Sequence, residues 1–369
     1  MTITPKRAPG APVYIVHAVP GLEALAADEL RSTVKGAAVL ETLRGFDERT
    51  SLLLVRFRGE PAELLALQLS EDVFALALDA TDVPSAWGGL RALRTLIEKE
   101  RGVETAVIRA TPMRPARARK ATFRVITRIA GRYAYKRQDL QRAAEQALAE
   151  RFSEWRLVED GARFEFWLNL VGGRVLLGVR LSDETMRRHT ALRVSLPAAL
   201  KPVVATAMVR LSDPTPDDIF LDPMCGVGTL LIERGESGRY RQLIGGDLDP
   251  EGVEAARTNI GPRYKPVELR QWDARYLPLA DASVTRIVTN LPFGKQIGTP
   301  EELHALYPAL LSEWERVLQP GGRMVLLTSA ERTLQTALRR HPRLTLARRV
   351  PVLIRGEQAA IFVLKLREA

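Results

Sequence analysis

Hydrophobic positions change their spacing about halfway along the chain. Before residue 183 they come in short runs: Tyr14–Ala18, Leu52–Phe57, Val73–Leu78, Phe123–Ile129, Arg163–Leu170 and Val175–Val179. Runs of this length between polar and glycine-containing stretches predict strands. Apolar residues recur at helical spacing in Leu22–Val34, where Leu22, Leu25, Ala26 and Leu30 share a face. Ala62–Leu69, Leu90–Arg101 and Asp139–Glu150 read as further helices, the last with Asp139 placed to cap it. Ala106–Ala110 reads as a strand ended by Thr111-Pro112. The N-terminal half is therefore expected to be α+β.

The stretch 183–194 is polar and basic, and reads as a linker. After it, strands at Ile219–Asp222, Leu243–Asp247, Val267–Gln271, Arg286–Thr289 and Met324–Thr328 alternate with helical segments. The segment Pro300–Leu318 places Leu303, Leu306, Tyr307, Leu310, Leu311, Trp314, Val317 and Leu318 on one stripe before Pro320-Gly321-Gly322. Two last strands, Arg349–Ile354 and Ala360–Leu364, flank Arg355-Gly356-Glu357. Strand–helix alternation ending in a hairpin predicts an α/β sheet, mostly parallel, covered on both faces and antiparallel at one edge.

A length of 369 residues implies two or three domains. Hydrophobic residues at 46% and charged residues at 27% fit a soluble globular protein rather than a disordered one. One cysteine excludes a disulfide framework and a cysteine-based zinc or iron–sulfur site. The four histidines, His17, His189, His304 and His341, show no ligand spacing, so no metal is expected. The opening MTITPKRAPG has no apolar core, and no uninterrupted apolar stretch of about 18 residues follows. A cytoplasmic protein, with no membrane partner and monomeric, is the expectation.

The net charge is +10. A polyanion partner, a GC-rich genome and a solvated basic surface would each give that figure. Position separates them. Between Trp87 and Arg142 stand 15 basic and four acidic side chains, a local charge of +11. Genome composition spreads arginine evenly, whereas a nucleic-acid footprint concentrates it. Arg114, Arg117, Arg119, Lys120, Arg124, Arg128, Arg132, Lys136 and Arg137 are the candidate RNA-binding residues. Trp87, Tyr133 and Tyr135 lie in the same segment, where packing competes with stacking on bases.

The strongest local signal is Leu221-Asp222-Pro223-Met224-Cys225-Gly226-Val227-Gly228-Thr229. A strand ends at Asp222, a glycine turn follows, and a helix begins near Thr229. Glycines let the backbone take unusual dihedrals and let a ligand approach closely, and such a crevice is where doubly wound sheets bind nucleotides. A dinucleotide fingerprint would need a third glycine where Leu231 stands, which disfavours a nicotinamide-dependent oxidoreductase. Asp247 ends the next strand, Asp273 follows the third, and Asn290 opens Asn290-Leu291-Pro292-Phe293-Gly294 after the fourth. Helix caps and turns would explain any one of these positions. They explain all four poorly, and a non-catalytic RNA-binding protein would have no use for them.

Asp-Pro-Met-Cys-Gly-x-Gly-Thr followed by Asn-Leu-Pro-Phe-Gly resembles the class I S-adenosylmethionine-dependent methyltransferases of exocyclic amines. More narrowly, the chain resembles the THUMP-domain RNA guanine-N2 methyltransferases, including those acting on tRNA. Phe123-Arg124-Val125 and the Tyr133–Glu150 region are similar to a THUMP core. The resemblance implies a ferredoxin-like domain over residues 1–60, a THUMP domain over 61–182, a linker over 183–194 and a Rossmann-like methyltransferase domain over 195–369. It implies S-adenosylmethionine as cofactor, with Asp222, Gly226 and Gly228 at its methionine end and Cys225, Val227, Thr229 and Leu248 also in the cofactor site. Asp247 would then meet the ribose and Asp273 and Ala274 the adenine, Ser195, Leu196, Pro197 and Ala198 would close over the cofactor, and Asn290 would also border it. The implied reaction is methylation of guanine N2 in tRNA, at position six of the acceptor stem. Another tRNA guanine, ribosomal RNA or adenine N6 are the alternatives.

The Asn290 motif also has a physical reading. An exocyclic amine is a poor nucleophile because its lone pair is delocalised into the ring. Acceptors from the Asn290 side chain and the Leu291 carbonyl, followed by Pro292, can bind its hydrogens and align the nitrogen with the methyl donor. Phe293 can stack on a base taken out of its helix. Positioning of this kind lowers a barrier without a strong base. Cys225 in the glycine turn reads as a small buried residue rather than a nucleophile.

Overall fold

The short apolar runs of the N-terminal half do become strands. The computed structural model describes residues 3–6, 10–47, 50–114, 121–187, 192–197, 199–293, 300–354 and 356–368. Its backbone divides into two compact units, Met1–Ala18 with Glu23–Arg187, and Val19–Leu22 with Arg188–Ala369. Among the described residues, no helix is long and apolar enough to cross a membrane.

The first unit contains the strands β1 (Thr4–Pro5), β2 (Val13–Ala18), β3 (Ala38–Asp47), β4 (Thr50–Arg56), β5 (Asp72–Thr81), β6 (Thr122–Ala130), β7 (Arg156–Leu157), β8 (Phe164–Val171) and β9 (Arg174–Arg180). They form one sheet in the order β3-β4-β2-β5-β9-β8-β6-β7, with β1 added to β5. The helices are α1 (Glu23–Thr33), α2 (Gly88–Lys99), α3 (Gly102–Ala110), α4 (Arg137–Arg151) and the short α5 (Glu184–Arg187). β5 pairs with both β2 and β9, so a single sheet runs across residue 60. Val13, Ile15, Leu52, Leu54, Phe74 and Trp167 form one apolar cluster on it.

The two-residue strands β1 and β7 and the short α5, which lies within the stretch read as linker, are additional to the sequence reading, and three larger elements differ from it. Ala106–Ala110 belongs to α3 and is not a strand. Val103, Ala106, Val107 and Ala110 are buried at helical spacing while Ile108 is 70% exposed; a five-residue window is too short to separate the two periods. Ala62–Leu69 shortens to a 3-10 turn over Pro61–Ala66. β3 was not anticipated, because an edge strand with one half-solvated face carries Glu41, Thr42, Arg44 and Gly45 among its apolar residues. Asp139 does serve the start of α4, but from the third helical position, where its carboxylate accepts from the Lys136 N–H at 2.8 Å.

The second unit holds β10 (Ile219–Asp222), β11 (Gln242–Asp247), β12 (Val267–Gln271), β13 (Val284–Asn290), β14 (Leu318–Thr328), β15 (Leu344–Ile354) and β16 (Glu357–Leu366). Between them run α6 (Pro202–Leu211), α7 (Thr229–Glu236), α8 (Pro250–Ile260), α9 (Pro300–Val317) and α10 (Glu331–Leu338). The strand order is β12-β11-β10-β13-β14-β16-β15. The first five are mutually parallel, and β16 runs antiparallel to both neighbours. Chain order reverses between β10 and β13, which opens a crevice at the carboxyl edge there. Most of the expected stripe is buried on α9: Leu303, Tyr307, Leu310, Leu311, Trp314 and Val317 are each at most 2% exposed, Leu306 is half-buried, and the buried Leu318 belongs to β14. Pro320-Gly321-Gly322 does not end the helix at a distance; β14 starts immediately at Leu318 and includes it.

At the opposite edge, Asp218 is fully buried just before β10. Arg234, 1% exposed, reaches it from α7 at 3.0 Å and also donates to the carbonyls of Thr215 and Arg239. This staple fixes where β10 begins. Removing one member of a buried pair leaves an uncompensated charge. Arg234→Leu is expected to cost about 3–5 kcal/mol in urea unfolding of the full chain. Arg239→Leu, at an exposed position, should cost less than about 0.5 kcal/mol. Equal effects would contradict the staple.

Candidate active site

Parallel pairing brings Asp222, Asp247 and Asn290 to one edge, with Asp273 two residues beyond the end of β12. They line a single cavity of about 1190 Å³, ample for a nucleotide-sized ligand. Cys225, Gly226, Val227, Thr229, Leu248, Ala274, Leu291, Pro292 and Phe293 line it as well. Leu196 and Pro197 form part of its wall, whereas Ser195 is exposed and does not line it. Ala198 and Gly294 lie outside the described residues.

The glycine turn is built by backbone requirements. Gly228 has φ +84° at the start of α7, and a Cβ there would stand 3.1 Å from the Ala256 Cβ. Gly228 is thus a packing glycine and not a lining one. Gly226 has φ +46° and open space where a Cβ would point. Its N–H donates to Asp247 Oδ2 at 2.8 Å, and the Asp249 N–H donates to Oδ1 at 3.1 Å. The Asp247 carboxylate is therefore fixed by two backbone donors, each oxygen keeping acceptor capacity.

Asp222 is 1% exposed. Burial pushes its carboxyl up to about 7, helped by the neighbouring Asp247 charge and opposed by the Met224 N–H at 3.3 Å. Burial, with the Asp222 and Asp247 charges, also raises the Cys225 thiol, so this cysteine stays protonated and is no nucleophile. Asp273 is held from the outside: the Arg275 N–H, Nε and Nη2 all donate to it, at 2.6–3.0 Å, which lowers its carboxyl below the usual range.

The Asn290 turn is held by neighbours on α9 and β14. The Leu291 N–H donates to the Leu327 carbonyl at 3.0 Å. The Tyr307 hydroxyl donates to the Pro292 carbonyl at 2.7 Å and lies 2.8 Å from Thr328 Oγ1. The Ala330 N–H donates to that same Oγ1 at 2.9 Å. With Tyr307 donating forward, Thr328 must donate to Tyr307, which gives a directional chain Ala330–Thr328–Tyr307–Pro292. Burial pushes the Tyr307 phenol up to about 12, so it remains a donor. Asn290 Oδ1 is buried and has no partner among the described residues. A buried acceptor left unpaired is costly, and the residue that carries it belongs to the cavity wall.

Sequence reasoning missed two residues that shape this site. Trp272 donates from Nε1 to the Pro223 carbonyl at 2.9 Å, bracing the glycine turn. A Cβ on Gly246 would stand 2.2 Å from its indole, so Gly246 admits the ring. Tyr307 was read only as part of an apolar stripe. In both cases the partner is a backbone carbonyl, which leaves no mark in the sequence.

The basic segment divides. Arg114 donates to the Arg180 and Ser182 carbonyls. Arg124 pairs with Asp160 at 2.8 Å and Glu165 at 2.7 Å. Arg128 lies 4.8 Å over the Trp167 ring and donates to Thr50. These three tie the unit's own elements together, a use that competes with the RNA-facing role expected of them. Arg132, Lys136 and Arg137 are exposed, while Arg117, Arg119 and Lys120 lie outside the described residues. Trp87 is 60% exposed; Tyr135 is buried and donates to the Pro84 carbonyl, and Tyr133 accepts from the Gly173 N–H. Among the described residues no group of three or more His, Cys, Asp or Glu is placed to hold a metal ion.

A family model described as UPF0020, RMKL-like, methyltransferase domain, matches residues 190–358. The chain is 30% identical to the tRNA (guanine(6)-N2)-methyltransferase of Thermus thermophilus over 275 residues, 69% of this chain and 81% of that protein. It is 33% identical to the mouse tRNA (guanine(6)-N(2))-methyltransferase THUMP3 over 261 residues, 66% of this chain and 51% of that one. The chain thus spans about half the length of this mammalian relative. The crystal structure of TrmN from Thermus thermophilus superposes with a TM-score of 0.77 at 26% identity, covering 96% of this chain and 99% of that one.

The raised Asp222 carboxyl has a consequence independent of any ligand. Relative to an ordinary value of 3.8, the folded state holds this proton more tightly. Its contribution to stability is full below pH 3.8 and is lost as pH rises through about 7. The melting temperature of Asp222→Asn minus that of wild type is expected near zero at pH 4, growing to pH 7 and level above it. A difference that stays flat across this range would contradict the assignment.

Proposed function

The chain belongs to the TrmN-like family of guanine-N2 methyltransferases, and from that premise we propose that it methylates the exocyclic N2 of a guanine in tRNA with S-adenosylmethionine as donor. Position six of the acceptor stem is the finer reading, supported by the names of the mouse and Thermus relatives.

The cavity fits this cofactor. Gly226 leaves open space over the turn, so a ligand can lie against bare backbone. The Asp222 carboxyl, raised by burial, finds a counter-charge in the ammonium group of the methionine end. Asp247 and Asp273 offer fixed oxygens for ribose hydroxyls and the adenine amine, and Leu248, 68% exposed, offers an apolar face to the ring. Once bound, the cofactor supplies a methyl group activated by its sulfonium leaving group.

The observation that carries the reading is Asn290, a residue of that same cavity wall whose Oδ1 has no partner among the described residues. It is an acceptor waiting for a hydrogen, and a guanine amine brings two. Asn290 and the Leu291 carbonyl orient the amine so that its lone pair faces the donor, while Tyr307 and Thr328 keep the turn from relaxing. Phe293, half-buried in the wall, offers a face to a base drawn out of its stack. Asn290 is positioned rather than basic, so orientation and not proton abstraction is its contribution.

In the first unit, we read residues 61–182 as the THUMP domain, with the exposed Arg132, Lys136 and Arg137 facing RNA phosphates.

Incubation with methyl-labelled S-adenosylmethionine and unmodified tRNA, followed by nucleoside mass spectrometry, should yield N2-methylguanosine. Asn290→Ala should lower turnover at least about 100-fold while cofactor affinity stays within about threefold. Methylated adenosine from wild type, or an active Asn290→Ala, would overturn the reading.

A further inference from the structure

Helix α8 turns one narrow stripe toward the glycine turn: Gly252, Ala256, Asn259 and Ile260, spaced at i, i+4, i+7 and i+8. A Cβ on Gly252 would stand 3.5 Å from the Gly226 Cα, and one on Gly228 would stand 3.1 Å from Ala256 and 3.3 Å from Ile260. Small residues let the helix close on the turn. Asn259 is the stripe's polar member, and its carboxamide makes three hydrogen bonds. Oδ1 accepts from the Val194 N–H at 2.9 Å; Nδ2 donates to the Val194 carbonyl at 2.9 Å and to the Val227 carbonyl at 3.0 Å.

Two separate parts of the cavity wall are joined by this side chain. Val227 belongs to the glycine turn and lines the cavity, as do Leu196 and Pro197, which follow Val194 by two and three residues. Asn259 itself does not line the cavity. Its pattern toward Val194 reproduces the paired N–H and C=O of a strand neighbour, so it fixes both the position and the rotation of the backbone entering Leu196. Val194 and Ser195 are exposed, and apolar packing does little to hold this stretch.

We propose that Asn259 is a positioning residue of the cofactor site, a clamp that sets the Leu196–Pro197 wall against the glycine turn. This rests on the methyltransferase reading. The clamp is made wholly of hydrogen bonds to backbone, so it depends on the carboxamide at 259 and not on the side chains of Val194 and Val227. Asp at 259 keeps the acceptor for the Val194 N–H and replaces the donor with a charge facing two carbonyls.

The test uses the full chain, with S-adenosylhomocysteine as probe for calorimetry and hydrogen exchange, and S-adenosylmethionine with tRNA for kinetics. Asn259→Ala and Asn259→Asp should weaken S-adenosylhomocysteine binding and raise the KM for S-adenosylmethionine by about tenfold, the factor given by 1.4 kcal/mol. Turnover at saturating cofactor and the affinity for tRNA should stay within about twofold. A merely structural role would instead lower the melting temperature and turnover with little change in KM. In wild type, adding S-adenosylhomocysteine should slow amide exchange across 192–197, and both variants should lose that protection. Unchanged cofactor affinity in a folded variant would overturn the clamp. So would wild-type exchange at 192–197 that does not respond to the bound probe, an arm that decides even where the variants fail to fold. Wild type that binds no S-adenosylhomocysteine would instead sink the methyltransferase reading itself.

Discussion

Parallel pairing of β12, β11, β10 and β13 forces these strands to finish at the same edge, and the second unit's site depends on that constraint. Each strand delivers one polar group there: a buried carboxyl at Asp222, a carboxylate gripped by backbone at Asp247, one gripped by arginine at Asp273, and an amide oxygen at Asn290. The register fixes their order along the cavity. The Arg234–Asp218 pair pins the other end of the same sheet, so the carboxyl edge is held from behind by a buried staple and not by the cavity itself.

The four polar groups differ in how far their hydrogen bonding is satisfied. Asp247 and Asp273 have donors before any ligand arrives. Asp222 has the Met224 N–H alone among backbone donors and its carboxyl is raised by burial, while Asn290 Oδ1 has no partner among the described residues. Such unsatisfied groups are tolerated where the surrounding structure over-determines them. Here Trp272 braces the turn after Asp222, and the Ala330–Thr328–Tyr307 chain braces the turn after Asn290. The rigidity around each is what keeps it from finding a partner by local rearrangement.

The rim was legible in the sequence because each of its residues sits at a strand end and carries its own chemistry. Its supports were not. Trp272, Tyr307 and Asn259 act on the carbonyls of Pro223, Pro292 and Val227, and any residue supplies a carbonyl. In the first unit the local charge of +11 located the basic segment, yet charge alone could not tell Arg124, paired with Glu165, from the exposed Arg132. Ala106–Ala110 failed for another reason: five apolar and small residues fit both periods, and only the burial of Val103 and Val107 resolves them as helix.

The central claim is that the Asn290 turn works because it is held still, and its most direct test removes one oxygen atom. Tyr307→Phe keeps the buried ring in α9 and deletes the hydroxyl that holds the Pro292 carbonyl. Single-turnover methylation of tRNA at saturating cofactor should slow by about tenfold, as loss of one buried hydrogen bond would give, with cofactor affinity unchanged. A Tyr307→Phe protein that transfers methyl groups at the wild-type rate would contradict it.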